Sequence, residues 1–266
     1  MFVKRLISSI VLLAVIITTV VLGGEALFLL TAIVSLIGLM EIYRLSKLHK
    51  TLPGIVGYLS CAVYYALLYF NRQEYLFELL VVLLLVLMIV FVLRYPVYHS
   101  SQIAMTFFGF FYVAVMLSYL YQVRMLENGA YMIWLVFIGA WGSDTCAYCV
   151  GMLFGKHKLP NELSPKKSIE GCIGGVVGAA FLGFAYATVF REQITAISNP
   201  TLWFAVIGGV SSILSQIGDL AASGIKRNHN IKDYGNLIPG HGGIMDRFDS
   251  IIFTAPICFV LLKFIL

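Results

Sequence analysis

Residues 77–93 read Phe-Glu-Leu-Leu-Val-Val-Leu-Leu-Leu-Val-Leu-Met-Ile-Val-Phe-Val-Leu. After Glu78 the run offers nothing that water could solvate. Rising 1.5 Å per residue, a helix of this length covers roughly 26 Å, close to the ~30 Å hydrocarbon thickness of a bilayer. Comparable runs lie near Leu6–Leu22, Ala26–Tyr43, Gly54–Phe70, Ser101–Val123, Ala130–Phe154, Gly171–Phe190, Thr201–Ala222 and Phe248–Leu266. The chain is therefore predicted to be all-α, a polytopic integral membrane protein with about nine transmembrane helices. Composition agrees. Hydrophobic residues make up 60% of the 266 and charged residues 12%, against roughly 45–50% and about 25% in a soluble domain. A water-facing surface could not be covered with so few polar residues.

The first two runs are separated only by Gly23-Gly24-Glu25 and could form one hairpin. Lys4-Arg5 before an apolar run resembles a signal peptide. The run is longer than a usual signal core, and no A-x-A-like site follows it, so an uncleaved first span is expected. The basic residues set the orientation. With nine spans, fourteen of the 18 Lys and Arg fall on the N-terminal side and four on the other. That places the N-terminus in the cytoplasm and the C-terminus outside, in the cell's inner (plasma) membrane. The net charge of +5 needs no nucleic acid, because basic cytoplasmic loops and anionic lipid headgroups account for it.

Residues 1–128 carry almost no charge within their spans and read as scaffold. The polar residues gather in 129–266, the catalytic region of the same membrane domain. The five cysteines lie in or beside apolar runs and read as small buried hydrophobes; Cys146-x-x-Cys149 has no second pair. The spacings Gly171-x-x-x-Gly175 and Gly174-x-x-x-Gly178 predict close helix packing, within the protein or at a dimer contact.

Asp144, in Trp141-Gly142-Ser143-Asp144, stands inside an apolar segment, where an ionised carboxylate costs several kcal/mol unless paired, hydrated or metal-bound. Asp219, Ser223 and Lys226 share one helix face at i, i+4 and i+7, with Gln216 a turn earlier. The stretch from Gly224 to Met245 is the most polar of the chain and carries Lys226, Arg227 and Lys232. It closes on Gly240-His241-Gly242-Gly243, ahead of a helix that begins with Asp246-Arg247-Phe248-Asp249. Glycines let amides approach an anion closely, and a helix N-terminus attracts one. Lys226, Arg227, Lys232 and Arg247 can neutralise a polyphosphate. Asp219, Asp246 and Asp249 are hard oxygen donors suited to Mg²⁺, with room in the set for a second metal ion. Lys167 and Ser168, in Ser164-Pro165-Lys166-Lys167-Ser168, lie on the same side and could touch phosphate. Gly151…Gly155-Lys156 is too short for a Walker loop, and His241 has no partner at zinc spacing.

Ser223-Gly224-Ile225-Lys226-Arg227, Lys232-Asp233 and the run Pro239–Asp249 resemble the signature of the phosphatidate cytidylyltransferases, the CDP-diacylglycerol synthases. Trp141–Asp144 and Ser164–Ser168 are also similar to segments of that family. The resemblance implies transfer of a cytidylyl group from CTP to phosphatidic acid with Mg²⁺, giving CDP-diacylglycerol and pyrophosphate in phospholipid biosynthesis, by a homodimer among membrane lipids. The expected catalytic residues are Asp144, Asp219, Ser223, Lys226, Arg227, Asp246, Arg247 and Asp249. Substrate would be held by Lys167, Ser168, Lys226, Arg227, Lys232, Gly240, His241, Gly242, Gly243 and Arg247, and metal by Asp219, Asp246 and Asp249. A CTP-dependent lipid-alcohol kinase is the alternative. A CDP-alcohol phosphotransferase would need a D-G-x-x-A-R signature, which is absent. A transporter would not need the long basic glycine loop, and no inverted repeat is visible.

Overall fold

In the computed structural model, residues 2–159, 163–165, 167–238, 240 and 242–266 are described, with side chains from residue 6 onward. Lys166, Pro239 and His241, the last expected to touch substrate, lie outside the described residues. Nine long helices account for most of the rest: α1 Phe2–Leu22, α2 Gly24–Leu45, α3 Leu52–Tyr69, α4 Gln73–Leu93, α5 Ser100–Arg124, α6 Gly129–Phe154, α7 Ile169–Val189, α8 Pro200–Asn228 and α9 Met245–Ile265. Eight of them, α2 to α9, are long and apolar enough to cross a membrane; the described apolar part of α1, Leu6–Leu22, is shorter. Only two isolated β-bridges, and no strand, occur among the described residues. This is a multi-pass, all-α membrane protein.

Local chemistry explains the breaks. Gly23 adopts φ 65° between α1 and α2, a left-handed conformation that favours glycine. Proline stands in the first turn of α3 and of α8, where its missing N–H costs nothing. The Ser168 hydroxyl accepts the Gly171 amide at 3.1 Å and caps α7. Two helices carry π-helical turns, Phe110–Val115 in α5 and Ile138–Gly142 in α6. Such turns shift the register of the side chains after them and are frequent at functional sites.

The sequence expectation ended the eighth span near Ala222. The helix continues instead to Asn228, which keeps Ser223 and Lys226 on the helix with Asp219, as their spacing predicts, and places Arg227 on α8 rather than in the loop. No proline interrupts this stretch, and the basic residues in its last turn suit the negative end of the helix dipole. Likewise α9 starts at Met245, so Asp246 lies in its first turn.

α4 buries only a stripe, Leu83, Leu87 and Val90, and presents the rest of its surface outward. That is the pattern of a helix bathed in lipid. α7 lies against α6 and α8. A methyl on Gly174 would strike the Val150 side chain of α6, and one on Gly183 would strike the Phe204 carbonyl of α8. The small residues therefore serve close packing within the protein. α9 packs on α8 and on the second half of α5, so the two sequence halves share one core.

Candidate active site

α6, α8 and α9 bring their carboxylates together where the basic loops converge. Asp144 follows directly on the π-helical turn of α6. Asp219 projects from α8 and Asp249 from α9. The three carboxylates lie within electrostatic reach of one another, Asp249 sensing both Asp219 and Asp144. The Gly218 backbone lets α9 come close at this level: a methyl there would meet the Asp249 carbonyl at 3.0 Å.

Two cavities meet at Asp144. The larger, about 570 Å³, is lined by Asp144, Tyr148, Lys167, Ser168, Gln216 and Asp219 among others. The smaller, about 300 Å³, is lined by Asp144, Asp246, Arg247 and Asp249 on one side and by Ser8, Ser9, Leu12 and Leu13 of α1 on the other. A third hollow of about 290 Å³ runs between the loop at 163–165 and the end of α8, with Ser223, Lys226, Arg227 and Lys232 in its wall. The two loops flanking α6–α7 and α8–α9 thus meet at one end of the bundle, and the candidate residues share that end.

Two ion pairs anchor the cluster. Lys167 Nζ lies 2.7 Å from Asp219 Oδ2, both partly exposed. Lys226 Nζ lies 2.9 Å from Asp246 Oδ1, with the side chains only 15% and 3% exposed. Asp246 Oδ2 accepts the amides of Tyr234, at 2.8 Å, and Gly243, at 2.9 Å. Both oxygens of Asp246 are thus engaged by the protein, which sets it apart from Asp219 and Asp249. Tyr234 roofs this pair: its ring lies 5.3 Å from Lys226 Nζ, and its hydroxyl donates to the Ala222 carbonyl at 3.0 Å. Burial pushes the Tyr234 phenol far above its usual range, so it remains a donor.

The glycine turn is built as expected but spends its amides inward. Gly240 and Gly242 have φ 80° and 83°, and the Gly242 carbonyl accepts the Ile238 amide at 2.9 Å. A side chain at Gly242 would also strike Asp246 Oδ2. The Gly243 amide goes to Asp246. The amides of Ile244 and Met245, at the start of α9, go to the Glu41 carboxylate at 3.0 and 2.9 Å. The anion-binding N-terminus foreseen for a phosphate is therefore filled by the protein's own carboxylates. Lys167, paired with Asp219, and Arg227 and Lys232 are the cations that face the larger cavity and the third hollow.

Among the described residues, no three His, Cys, Asp or Glu side chains are gathered into a metal cage. Mg²⁺ does not require one, since it is commonly held by one or two carboxylates with substrate phosphates and water. Asp219 and Asp249 suit that role. Beside them the buried Tyr112 hydroxyl of α5 has no hydrogen-bond partner and lies within electrostatic reach of both.

Two contributors escaped the sequence reading. Tyr112 is one apolar-helix tyrosine among many, and only the π-helical turn aims it here. Glu41 sits three residues before Arg44 at the end of a span, where an acid ordinarily marks the interface. Its flanks Leu39-Met40 and Ile42-Tyr43 were the available signal, because they leave it no water-facing side.

A protein of Bacillus subtilis (strain 168) named phosphatidate cytidylyltransferase is 30% identical to this chain over 268 residues, which is 97% of each. A protein of the same name from Staphylococcus saprophyticus is 31% identical over 265 residues, 97% of this chain and 98% of its own. One from Staphylococcus aureus (strain COL) is 30% identical over 266 residues, 97% and 98%. The model of the cytidylyltransferase family matches residues 3–265, a span that includes every carboxylate and cation of the cluster, and the chain belongs to that family.

Proposed function

We infer that this protein transfers the cytidylyl group of CTP to phosphatidic acid, giving CDP-diacylglycerol and pyrophosphate. The observation that carries the reading is the set of three carboxylates from three helices, flanked by Lys167 and Lys226, at the junction of two cavities. Family membership and the relatives' names point the same way.

The chemistry suits these residues. A phosphatidate oxygen is already anionic at neutral pH and attacks the α-phosphorus of CTP without a strong base. The bond from that phosphorus to the bridging oxygen breaks, and pyrophosphate leaves with its electrons. The barrier lies in bringing two anions together, so fixed positive charge and alignment are what catalysis needs. Lys167, Arg227 and Lys232 would neutralise the triphosphate, and Ser168 and Ser223 would orient it. Arg247, in the smaller cavity, would hold the lipid phosphate, with Leu12 and Leu13 of α1 along its glycerol and tails. Lys226 fixes Asp246 and so keeps α8 and α9 in register. Asp219 and Asp249 would hold Mg²⁺, which when bound supplies charge neutralisation at the phosphoryl oxygens. Asp246 would join them only by giving up one of its present partners.

The site would face the cytoplasm of the plasma membrane, with the N-terminus inside and the C-terminus outside. The excess of Lys and Arg on that side supports this orientation. A homodimer is proposed on the family likeness alone. The test is purified protein with labelled CTP and Mg²⁺, given phosphatidate in one arm and a lipid alcohol in the other. Lipid-bound CMP and pyrophosphate in equal amounts are expected. CDP plus a phosphorylated lipid alcohol would make it a kinase, and no CTP-dependent product from either lipid would overturn the reading.

A further inference from the structure

Glu41 belongs to α2, in the half of the chain whose other buried polar side chains, among the described residues, are neutral hydroxyls, and it is only 1% exposed. Its carboxylate reaches across 203 positions of sequence to accept the Ile244 amide on Oε1 and the Met245 amide on Oε2. The first amides of a helix have no partner within it, and the dipole there favours a negative charge. Glu41 therefore serves α9 as a cap supplied by another helix.

The surroundings are shaped to this carboxylate. A methyl group on Gly235 would lie 2.5 Å from Glu41 Oε1, and one on Gly243 would lie 2.5 Å from both of its oxygens. Two of the loop's glycines thus make room for a side chain of α2. Glu41 and Asp246 also sense each other's charge. Between them they take the amides of Tyr234, Gly243, Ile244 and Met245.

A tie between helices alone would not call for a buried charge. Well-packed apolar groups in place of buried ions are often neutral or stabilising. What a carboxylate does that they cannot is direct two amides at once, which fixes the height and rotation of α9. The directions of Asp246, Arg247 and Asp249 follow from that rotation. We propose that Glu41 is a positioning residue for cytidylyl transfer: by capping α9 from α2 it aims the first turn of α9 into the cavity. The proposal rests on the function inferred above.

The experiment compares purified full-length wild type with Glu41→Gln, Glu41→Asp and Gly235→Ala. It records kcat, KM for CTP and phosphatidate, thermal unfolding, and amide hydrogen exchange over residues 233–248. A glutamine keeps the size but can accept with only one of its two terminal atoms. Glu41→Gln is expected to unfold near the wild-type temperature and to exchange faster at 243–248. Its kcat should fall at least about tenfold with both KM values within about twofold, and Glu41→Asp should recover part of kcat. Wild-type kcat with wild-type exchange would overturn the proposal. So would a lowered unfolding temperature with unchanged kcat per folded molecule, which would make Glu41 a tie and nothing more. If Glu41→Gln does not fold, Gly235→Ala decides: it leaves the charge and displaces it, and an unchanged kcat there would equally overturn the proposal. Failure of the functional reading shows separately, as a wild type that makes no CDP-diacylglycerol. Exchange at 243–248 would then still report whether Glu41 sets the turn.

Discussion

The first five helices and the last four use the same apolar residues and differ in where they place charge. In α2, α3 and α5, hydroxyls close on one another or on nearby carbonyls. Ser35 meets Tyr65 at 2.7 Å, Tyr64 meets Ser118 at 2.8 Å, and Tyr43 donates to the Thr106 carbonyl at 2.8 Å, all buried. In α6, α8 and α9 hydroxyls are sealed in the same way, Ser143 against Ser212 at 2.6 Å, but carboxylates and ammonium groups bordering cavities are added to them. Neutral hydroxyls can be sealed once each has a partner. Charges at membrane depth need partners and water, so they mark the place where water and a polar substrate are admitted. Glu41 is the exception that joins the two regions, a charge from the sealed half spent on the open one.

The contrast can be broken most sharply at Asp249, which borders the smaller cavity and is only partly buried. Asp249→Asn should lower CDP-diacylglycerol formation at least about 10²-fold while leaving thermal unfolding close to wild type. A kinetic assay with a parallel melt checks both. Asp246→Asn should behave differently. The Asp246 carboxylate is buried against Lys226 and accepts two amides, so folding depends on it as well. Leaving Lys226 unpaired should cost about 3–5 kcal/mol of stability in addition to activity, visible as a large drop in unfolding temperature. Tyr64→Phe, in the sealed half, is the smallest expected effect. It removes one buried hydrogen bond, worth about 1 kcal/mol, and should leave kcat unchanged. A kcat loss in this variant comparable to that of Asp249→Asn would dissolve the distinction between the halves.

The fold was legible because apolar runs of membrane-spanning length admit one reading, and the charges of the second half announced a site. What the sequence could not show was how the loop spends its amides. The glycine turn before α9 reads as an anion cradle, and the amides of Gly243, Ile244 and Met245 do cradle anions, but these are Asp246 and Glu41. A carboxylate two hundred residues away leaves no local pattern. Asp144 could be picked out because it stood inside an apolar segment, and Asp219 because Gln216, Ser223 and Lys226 fall on its helix face. Tyr112 could not, since fifteen tyrosines share its composition signal and only the π-helical turn distinguishes it. Lys226 was chosen as a phosphate ligand for its charge; in the structure that charge holds Asp246.

The three-carboxylate centre itself is exposed to a single experiment, turnover of Asp219→Asn across a Mg²⁺ titration at matched folded concentration. Asp219 lines the larger cavity and pairs with Lys167 near the surface, so its amide variant should fold. If this centre carries the chemistry, kcat falls at least about 10²-fold and more Mg²⁺ is needed to reach half-maximal rate. Near-wild-type turnover with an unchanged Mg²⁺ requirement would remove Asp219 from the reaction and move the catalytic centre elsewhere in the bundle.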